Sequence, residues 1–246
     1  MTTKLFVISA TLFFWGAMIN CVFAQKDAKA SFCFAFQVAS QSSFGPTESQ
    51  AEIVGGMDTL YYDNKAHFIP GFRSSMVSEL AIGYRKNILQ WQSTISYFVK
   101  DIGLIQKVSS NEYPFMLADM LSIKISAHLQ LTNNDVPKPD GLLTGFFVGS
   151  FFPVAYKMDP QTKADFAVKD FNPSAQLCWG IDLQYNKRLA HQGWYIVAGI
   201  TGTMPGLVGG IGKIELQAHS PYQVKRDEIK MYAISGFLGI GKCFSE

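Results

Sequence analysis

The sequence predicts an all-β fold, a closed antiparallel transmembrane β-barrel of about eight strands with up-and-down topology. Three observations lead to this prediction. The N-terminus has the features of an export signal, the rest of the chain is apolar without a long apolar segment, and several runs alternate between large apolar and polar residues. Of the 246 residues, 48% are hydrophobic, 14% are aromatic and 16% are charged. So few charges do not suit the surface of a soluble domain.

The first residues predict a cleaved signal peptide. Lys4 gives a positively charged start, residues 5–19 are almost entirely apolar, and residues 22–24 place small side chains at both positions that a signal peptidase reads. We therefore expect residues 1–24 to be removed and residues 25–246 to form one barrel domain. An uncleaved membrane anchor is the alternative, but the apolar segment is short for a bilayer.

The remainder of the chain has no run of ~20 apolar residues that could form a membrane helix. An exported, apolar chain without such a helix can still satisfy its backbone in a bilayer by closing a sheet into a barrel. We therefore expect the protein in the cell outer membrane, with membrane lipid as a partner. The formal net charge of +2 gives no reason to expect nucleic acid as a partner.

Alternation predicts the strands, because successive side chains of a strand point to opposite faces. It is clearest in residues 121–131, where Leu and Ile alternate with Ser, Lys, His and Gln. Residues 142–156 are apolar on both faces; we assign Tyr156 to the outer face, and Pro153 weakens the strand because it cannot donate to the ladder. The predicted strands cover residues 32–38, 79–85, 89–99, 121–131, 142–156, 175–185, 194–200 and 232–244.

The links between these strands alternate between long and short. The predicted long links cover residues 40–77, 100–118, 158–172 and 203–228, and the short ones cover 85–87, 132–141 and 187–192. Since all long links then leave the same end, the pattern is typical of outer-membrane barrels, with long loops outside and both termini in the periplasm. We expect the loops at 41–76 and 203–228 to contact other envelope proteins.

A soluble, lipocalin-like barrel that binds a hydrophobic ligand would also alternate, but with its apolar face inside. The aromatic residues favour a lipid-facing apolar surface. Trp91, Trp194 and Phe244 fall near one end of their strands, and Tyr97 and Trp179 fall towards the other. Two aromatic belts are expected at the two edges of a bilayer. The soluble binder remains the alternative.

The face opposite the lipid places charged residues in the lumen. A barrel of about eight strands has an interior that side chains fill, so a general porin is not expected. Buried charges must pair, because an unpaired one costs several kcal/mol. We therefore expect a structural polar network, with a narrow ion conduit as the alternative. The network residues are Glu79, Arg85, Lys124, His128 and Asp182.

The sequence does not favour an enzyme. Ser126 and His128 share the inward face two residues apart, but no third residue completes a catalytic set. The glycines between Gly206 and Gly212 are not followed by the Lys-Ser/Thr pair of a phosphate-binding loop. Cysteines and histidines do not show metal-site spacing. We therefore predict neither a cofactor nor a metal, and an outer-membrane enzyme remains an alternative.

Three cysteines lie on inward positions by parity: Cys33, Cys178 and Cys243. Cys33 is near the start of the first strand and Cys243 is near the end of the last, and these strands are neighbours in a closed barrel. The expected compartment permits oxidation. A disulfide between Cys33 and Cys243 at the seam is our hypothesis, and free luminal thiols are the alternative.

Three segments resemble the PorT-like outer-membrane β-barrel family of Bacteroidota. Residues 69–72 (IPGF), followed by the strand at 80–84, are similar to the start of that family's second strand. Residues 89–97 (LQWQSTISY) resemble its third strand, and residues 236–244 (GFLGIGKCF) resemble its closing strand. Residues 113–115 (YPF) depart from the family's Glu-Ile-Pro pattern, and two residues extend past Phe244.

The resemblance covers nearly the whole mature chain, but its motifs are short and support the fold more than any activity. It implies a non-enzymatic barrel that presents long loops for assembly or interaction, and some members of the family are secretion-system accessories. The sequence does not indicate an oligomeric state.

Overall fold

The computed structural model describes residues 30–44, 52–55, 58–63, 75–86, 88–106, 112–131, 140–189, 193–206, 210–226, 230 and 232–245. The predicted signal peptide at 1–24 and the family-like motif at 69–72 lie outside these residues. In chain order the elements are β1 (Ala30–Phe44), β2 (Glu52–Gly55), β3 (Asp58–Asp63), β4 (Ser75–Lys86), β5 (Leu89–Gln106), β6 (Glu112–Gln130), β7 (Gly141–Met158), α1 (Pro160–Asp165), β8 (Val168–Pro173), β9 (Gln176–Arg188), β10 (Trp194–Pro205), β11 (Gly212–Leu216), β12 (Gln223–Arg226) and β13 (Tyr232–Ser245).

Eight of these strands close a barrel, in the order β1, β4, β5, β6, β7, β9, β10 and β13. Each pairs antiparallel with the next one along the chain, and β13 returns to pair with β1 from Tyr232↔Phe44 to Ser245↔Ser31. The predicted closed, eight-stranded, up-and-down barrel is therefore confirmed. We call the end where β1 begins and β13 ends the proximal end, and the opposite end the distal end.

The two faces of the barrel strands differ as the alternation predicts. On β1, Phe36 is 53% exposed, whereas its neighbours Ala35 and Gln37 are 2% and 3% exposed. The outer face carries large apolar side chains around the ring, among them Ile95, Phe146, Ile181, Ile200 and Leu238. The barrel therefore turns its apolar side chains outward.

The predicted link at 100–118 is wrong, because β5 and β6 continue to Gln106 and from Glu112, so that only residues 107–111 join them. The alternation fades there because both faces of β5 become mixed in polarity. Proximal to Tyr97 the strand is polar inside and apolar outside. Beyond it, the inward face carries Phe98 and Ile102, 2% and 0% exposed, with buried Lys100 between them, and the outward face carries Val99 and Asp101, both exposed. A search for apolar outward residues misses such a segment.

The assignment of Tyr156 to the outer face is also wrong. The register between β6 and β7 shifts where Met120 pairs with Pro153 and Asp119 pairs with Ala155, which leaves Val154 as an extra residue. A bulge of this kind reverses the faces of the residues that follow it. Tyr156 therefore pairs with inward Ala118 and packs against the buried apolar side chains of the distal end.

The distal links carry structure of their own. β3 pairs with the distal end of β5, β2 pairs with β3, and β12 pairs with β2, which extends the barrel sheet beyond the ring. β8 and β11 form a separate two-stranded sheet. We call the elements α1, β8 and β11 the cap.

The helix α1 is short and is fixed at both ends. Asp159 caps its N-terminus by accepting from Thr162 N at 2.9 Å, and Thr162 Oγ1 donates to the carbonyl of Pro114 on β6 at 2.5 Å. Ala167, with a φ of 48°, follows the helix and turns the chain into β8. Within the described ranges, no helix is long and apolar enough to span a membrane.

Candidate functional site

The barrel lumen is the candidate site, and it has two layers. The proximal layer is polar, and we call it the polar layer. The distal layer is apolar and continues into the cap, and we call it the apolar layer. The polar layer contains Gln37, Glu79, Gln90, Gln92, Thr94, Lys124, Ser126, His128, Asp182, Gln184 and Thr201, and the apolar layer contains Phe98, Ile102, Phe115, Met120, Phe151, Phe166, Val168, Phe171, Ile211 and Ile214.

Glu79 and Lys124 form one ion pair of the polar layer. They lie on β4 and β6, with β5 between them, and Lys124 Nζ is 3.6 Å from Glu79 Oε1. In register, β5 places only the small side chains of Ser96 and Thr94 beside them. The two long side chains can therefore meet across an intervening strand. Lys124 Nζ also lies 5.4 Å from the centroid of the Phe147 ring, within the range of a cation–π contact.

His128 and Asp182 form the second pair, across Gly145 of β7. His128 Nε2 is 2.8 Å from Asp182 Oδ1, at ion-pair distance but without the alignment of a hydrogen bond. The register places His128, Gly145 and Asp182 side by side on three consecutive strands of the ring. A Cβ at position 145 would lie 2.4 Å from His128 Cδ2 and 2.5 Å from Asp182 Oδ1. The absence of a side chain at Gly145 thus makes room for the contact.

Arg85 lies apart from these two pairs. Its side chain is 1% exposed, and its Nη2 donates to Gln130 Oε1. Gln130 Nε2 in turn donates to the carbonyl of Asp140 at 3.1 Å. The structure therefore brings four of the five predicted network residues into two pairs, and it gives Arg85 a neutral partner instead of a carboxylate.

Hydrogen bonds along the lumen wall occupy the remaining polar groups of β5. Gln90 Nε2 donates to Gln92 Oε1 at 3.0 Å, and Gln92 Nε2 donates to Thr94 Oγ1 at 3.2 Å. Ser126 Oγ donates to the carbonyl of Gln92 at 3.2 Å, and neither ring nitrogen of His128 has a hydrogen-bond partner among the described residues. Ser126 and His128 are therefore not arranged as a nucleophile and its base.

Little space remains between these side chains. A cavity of about 20 Å³ lies between the charged pairs and the wall formed by Gln37, Gln184 and Thr201. This is room for about one water molecule. Two phenylalanine rings fill much of the lumen: Phe147 lies over Gly180 and Phe237 lies over Gly199, where in each case a Cβ would come within 2.5 Å of the ring. The lumen is packed, as expected for eight strands.

The apolar layer was not anticipated from the sequence. Phe98 and Phe151 meet edge to face at 6.0 Å between ring centroids, and Phe171 of the cap meets Tyr156 of β7 at 5.3 Å. Phe166, after α1, packs on Tyr222 at 5.6 Å. Two features of the sequence could have revealed this layer: the apolar inward face of residues 142–156 and the alternation within the predicted distal links. This layer separates the polar layer from the distal end.

The cysteines lie where the first and last barrel strands meet. Cys33 and Cys243 are direct partners in the register of β1 and β13, their Cα atoms are 4.0 Å apart, and their sulfur atoms are bonded. Cys178 is buried on β9 as a free thiol. The bond links two strands that are separated by 210 residues of sequence, at the proximal end of the seam.

Comparison with known proteins supports the architecture. No family model matches the chain, and no curated protein matches its sequence. Among solved structures, the chain is similar to the crystal structure of the outer membrane protein OprG from Pseudomonas aeruginosa, with a TM-score of 0.59 and 10% sequence identity over 89% of this chain and 97% of that chain. The resemblance to the PorT-like family stays a prediction. At this low identity the likeness concerns the fold, and the chain has the fold of an outer-membrane β-barrel.

Proposed function

We propose that the protein is a non-enzymatic barrel of the cell outer membrane that presents an ordered distal structure to other envelope proteins and does not conduct ions. The observation that carries this proposal is the distribution of polarity. Ile181 and Leu238, on the outer face, are 64% and 62% exposed, whereas Glu79 and His128, in the lumen, are 7% and 0% exposed. A surface of this kind is stable in lipid and not in water.

The same distribution argues against a soluble binder of hydrophobic ligands. Such a barrel would enclose an apolar cavity large enough for its ligand, of about 300 Å³ or more. The lumen cavity between the described side chains measures about 20 Å³ and is lined mainly by polar groups. A hydrophobic ligand would have to displace the paired charges of the polar layer.

A conducting role is disfavoured by the packing of the lumen. Along the axis an ion would first meet Arg85 and its Gln130 partner, then the two charged pairs, and then the apolar layer around Phe98 and Phe151. Buried apolar side chains replace no part of the hydration shell of an ion. We therefore expect the closed barrel to be silent in conductance measurements.

The orientation and the role of the distal end belong to this proposal. In outer-membrane barrels the long links are external, so we place the proximal end and both termini in the periplasm after export by the leader at 1–24. The outer face of the cap is charged, with Lys169 Nζ 2.5 Å from Glu215 Oε1. An ordered, charged cap suits binding of an envelope partner, in line with the secretion-accessory role that the PorT-like resemblance implies.

Membrane fractionation with heat-modifiable gel migration tests the location. We expect the protein in the outer-membrane fraction, with an unheated form that migrates faster than the boiled form. Recovery as a soluble periplasmic protein would contradict the proposal. Reconstitution into planar bilayers tests the closed lumen: no channel events are expected, and steady openings of the unaltered protein would establish a conduit instead.

A further inference from the structure

Arg85 is a buried cation without an anionic partner. Its side chain is 1% exposed, and the described residues offer its Nε and Nη1 no hydrogen-bond partner. The neutral amide oxygen of Gln130 accepts from Nη2. A guanidinium stays charged at any physiological pH, and a charge that is buried without compensation is strongly unfavourable. A compensating anion is therefore expected at this position.

The described carboxylates of the lumen and its proximal end already lie beside other basic side chains. Glu79 pairs with Lys124, and Asp182 faces His128. The carboxylate of Asp140 lies 3.8 Å from Lys187 Nζ, although the backbone of Asp140 is linked to Arg85 through Gln130. None of these three groups supplies the missing negative charge.

The residues around Arg85 are neutral hydrogen-bonding groups. In register, Ser31 of β1 lies on one side of Arg85 and Gln90 of β5 lies on the other, and both are buried. The hydroxyl of Tyr195 donates to the carbonyl of Phe34 at 3.4 Å and also interacts electrostatically with the guanidinium. The Ser31 hydroxyl lies 3.9 Å from the sulfur of Cys33, and it is the donor of this weak contact because a disulfide sulfur carries no proton. A cation among hydroxyl and amide donors is the composition of an oxyanion site.

We propose that Arg85 is the centre of a carboxylate-binding site at the proximal end of the lumen. The planar guanidinium offers parallel donors to the two oxygens of a carboxylate, and its Nε and Nη1 have no hydrogen-bond partner among the described residues. Binding neutralises the buried charge and therefore stabilises the closed barrel.

The carboxylate has two sources with the same chemistry. One is a small carboxylate solute that enters from the proximal side. The other is the chain itself, because Glu246 follows Ser245, and Ser245 pairs with Ser31 beside Arg85.

The test uses the full barrel in detergent micelles. It measures the midpoint temperature, at which half of the protein changes from the fast-migrating to the slow-migrating form on a gel. Acetate replaces chloride stepwise at constant ionic strength. A ligand that binds only the folded state raises this midpoint by several degrees once its concentration far exceeds its dissociation constant. We expect acetate to raise the midpoint of the unaltered protein and to have no effect on Arg85→Gln. The control is Lys187→Gln, which removes an exposed positive charge at the same end and should keep the response.

The second arm distinguishes the internal source. If the unaltered protein does not respond to acetate, Glu246→Gln is expected to lower the midpoint and to make the protein respond. If neither protein responds, Arg85 binds no carboxylate and the inference is overturned, while an intact heat-modifiable transition leaves the proposed function standing. Should Arg85→Gln fail to refold, Arg85→Lys replaces it. In either case, broadening of the ¹³C-acetate signal by the unaltered barrel reports binding without any variant.

Discussion

His128 and Asp182 face each other across the backbone of Gly145, with Nε2 and Oδ1 2.8 Å apart, although they belong to strands that do not pair with each other. The contact depends on a residue that contributes no atoms to it. A methyl group at position 145 would overlap both partners, so the pair and the glycine form one unit.

Gly145→Ala is therefore expected to lower the free energy of unfolding by about 2 kcal/mol, because the added carbon overpacks the wall and separates two buried polar groups. Equilibrium unfolding in urea with lipid vesicles measures the change. The matched control is Gly202→Ala, since a Cβ at position 202 has no atom within 4 Å. Equal effects of the two substitutions would show that Gly145 matters for its backbone conformation and not for the room that it leaves between His128 and Asp182.

The Glu79–Lys124 pair predicts a strongly non-additive double-mutant cycle. Lys124→Met alone leaves the Glu79 carboxylate buried and is expected to cost about 3–5 kcal/mol, whereas the double variant Glu79→Gln/Lys124→Met should cost much less than the sum of the single changes. The exposed pair Lys169–Glu215 serves as the control, and its coupling energy should stay below about 1 kcal/mol. Additive single effects would show that the two side chains do not interact.

The cap is expected to open before the barrel, because it is held by the ring of buried Phe171 on Tyr156 and by few hydrogen bonds to the barrel strands, among them one from Tyr156 to Asp170. Phe171→Ser should accelerate tryptic cleavage after Lys169 and Lys213 and leave heat-modifiable migration unchanged. Asn172→Ser, on the exposed face of the same strand, should cleave like the unaltered protein. Loss of heat-modifiability in Phe171→Ser would mean that cap and barrel unfold together.

The disulfide between β1 and β13 predicts how many thiols of the mature protein react with a thiol reagent. After denaturation without reduction we expect one reactive thiol, from Cys178, and three after reduction. In the chain-entropy model a bond that closes a loop of 210 residues stabilises by up to about 5 kcal/mol, so Cys33→Ser should lower the unfolding midpoint. Three thiols before reduction would rule out the bond between Cys33 and Cys243.

The cap predicts one pH effect. The hydrogen bond and charge of Lys169 lower the pKa of Glu215, and the same pairing raises the pKa of Lys169. A lowered carboxylate pKa means that the stabilisation is present above the unfolded pKa and is lost as the pH falls through the folded pKa. Because the pKa of Lys169 is raised, the stabilisation that its charge contributes is lost only when the pH rises through that pKa. An NMR titration of the Glu215 side chain should give a pKa below the ordinary value, and Lys169→Met should return it upward.

The sequence alone predicts those features of the barrel that depend on a single strand, such as the direction in which a side chain points. Alternation in residues 121–131 fixes which side chains face the lumen, so the inward placement of Lys124 and His128 could be predicted. Their partners could not, because the meeting of Lys124 with Glu79 depends on the register of β5 and the meeting of His128 with Asp182 depends on a glycine of β7. The Arg85 position was predictable, but its lack of a carboxylate is a property of the whole ring.

The distal half was missed for a different physical reason. A search for alternating polarity assumes that a strand has the same surroundings along its whole length. The surroundings of β5 change along the strand. Its two faces become mixed in polarity between Tyr97 and Ile102, and the bulge at Pro153 reverses the faces of β7 at a comparable place. The sequence shows both segments as weak alternation, which is also typical of a loop.

The outward position of Asp101 on β5 has a mechanical consequence. In a bilayer, outward Asp101 resists being drawn into the hydrocarbon, while outward Ile95 resists leaving it. Displacement along the membrane normal is thus opposed in both directions, and the barrel has a defined immersion depth. In the orientation proposed above, the cap stands at a fixed height above the lipid surface, so that the proposed partner binds it without pulling the protein out of the membrane.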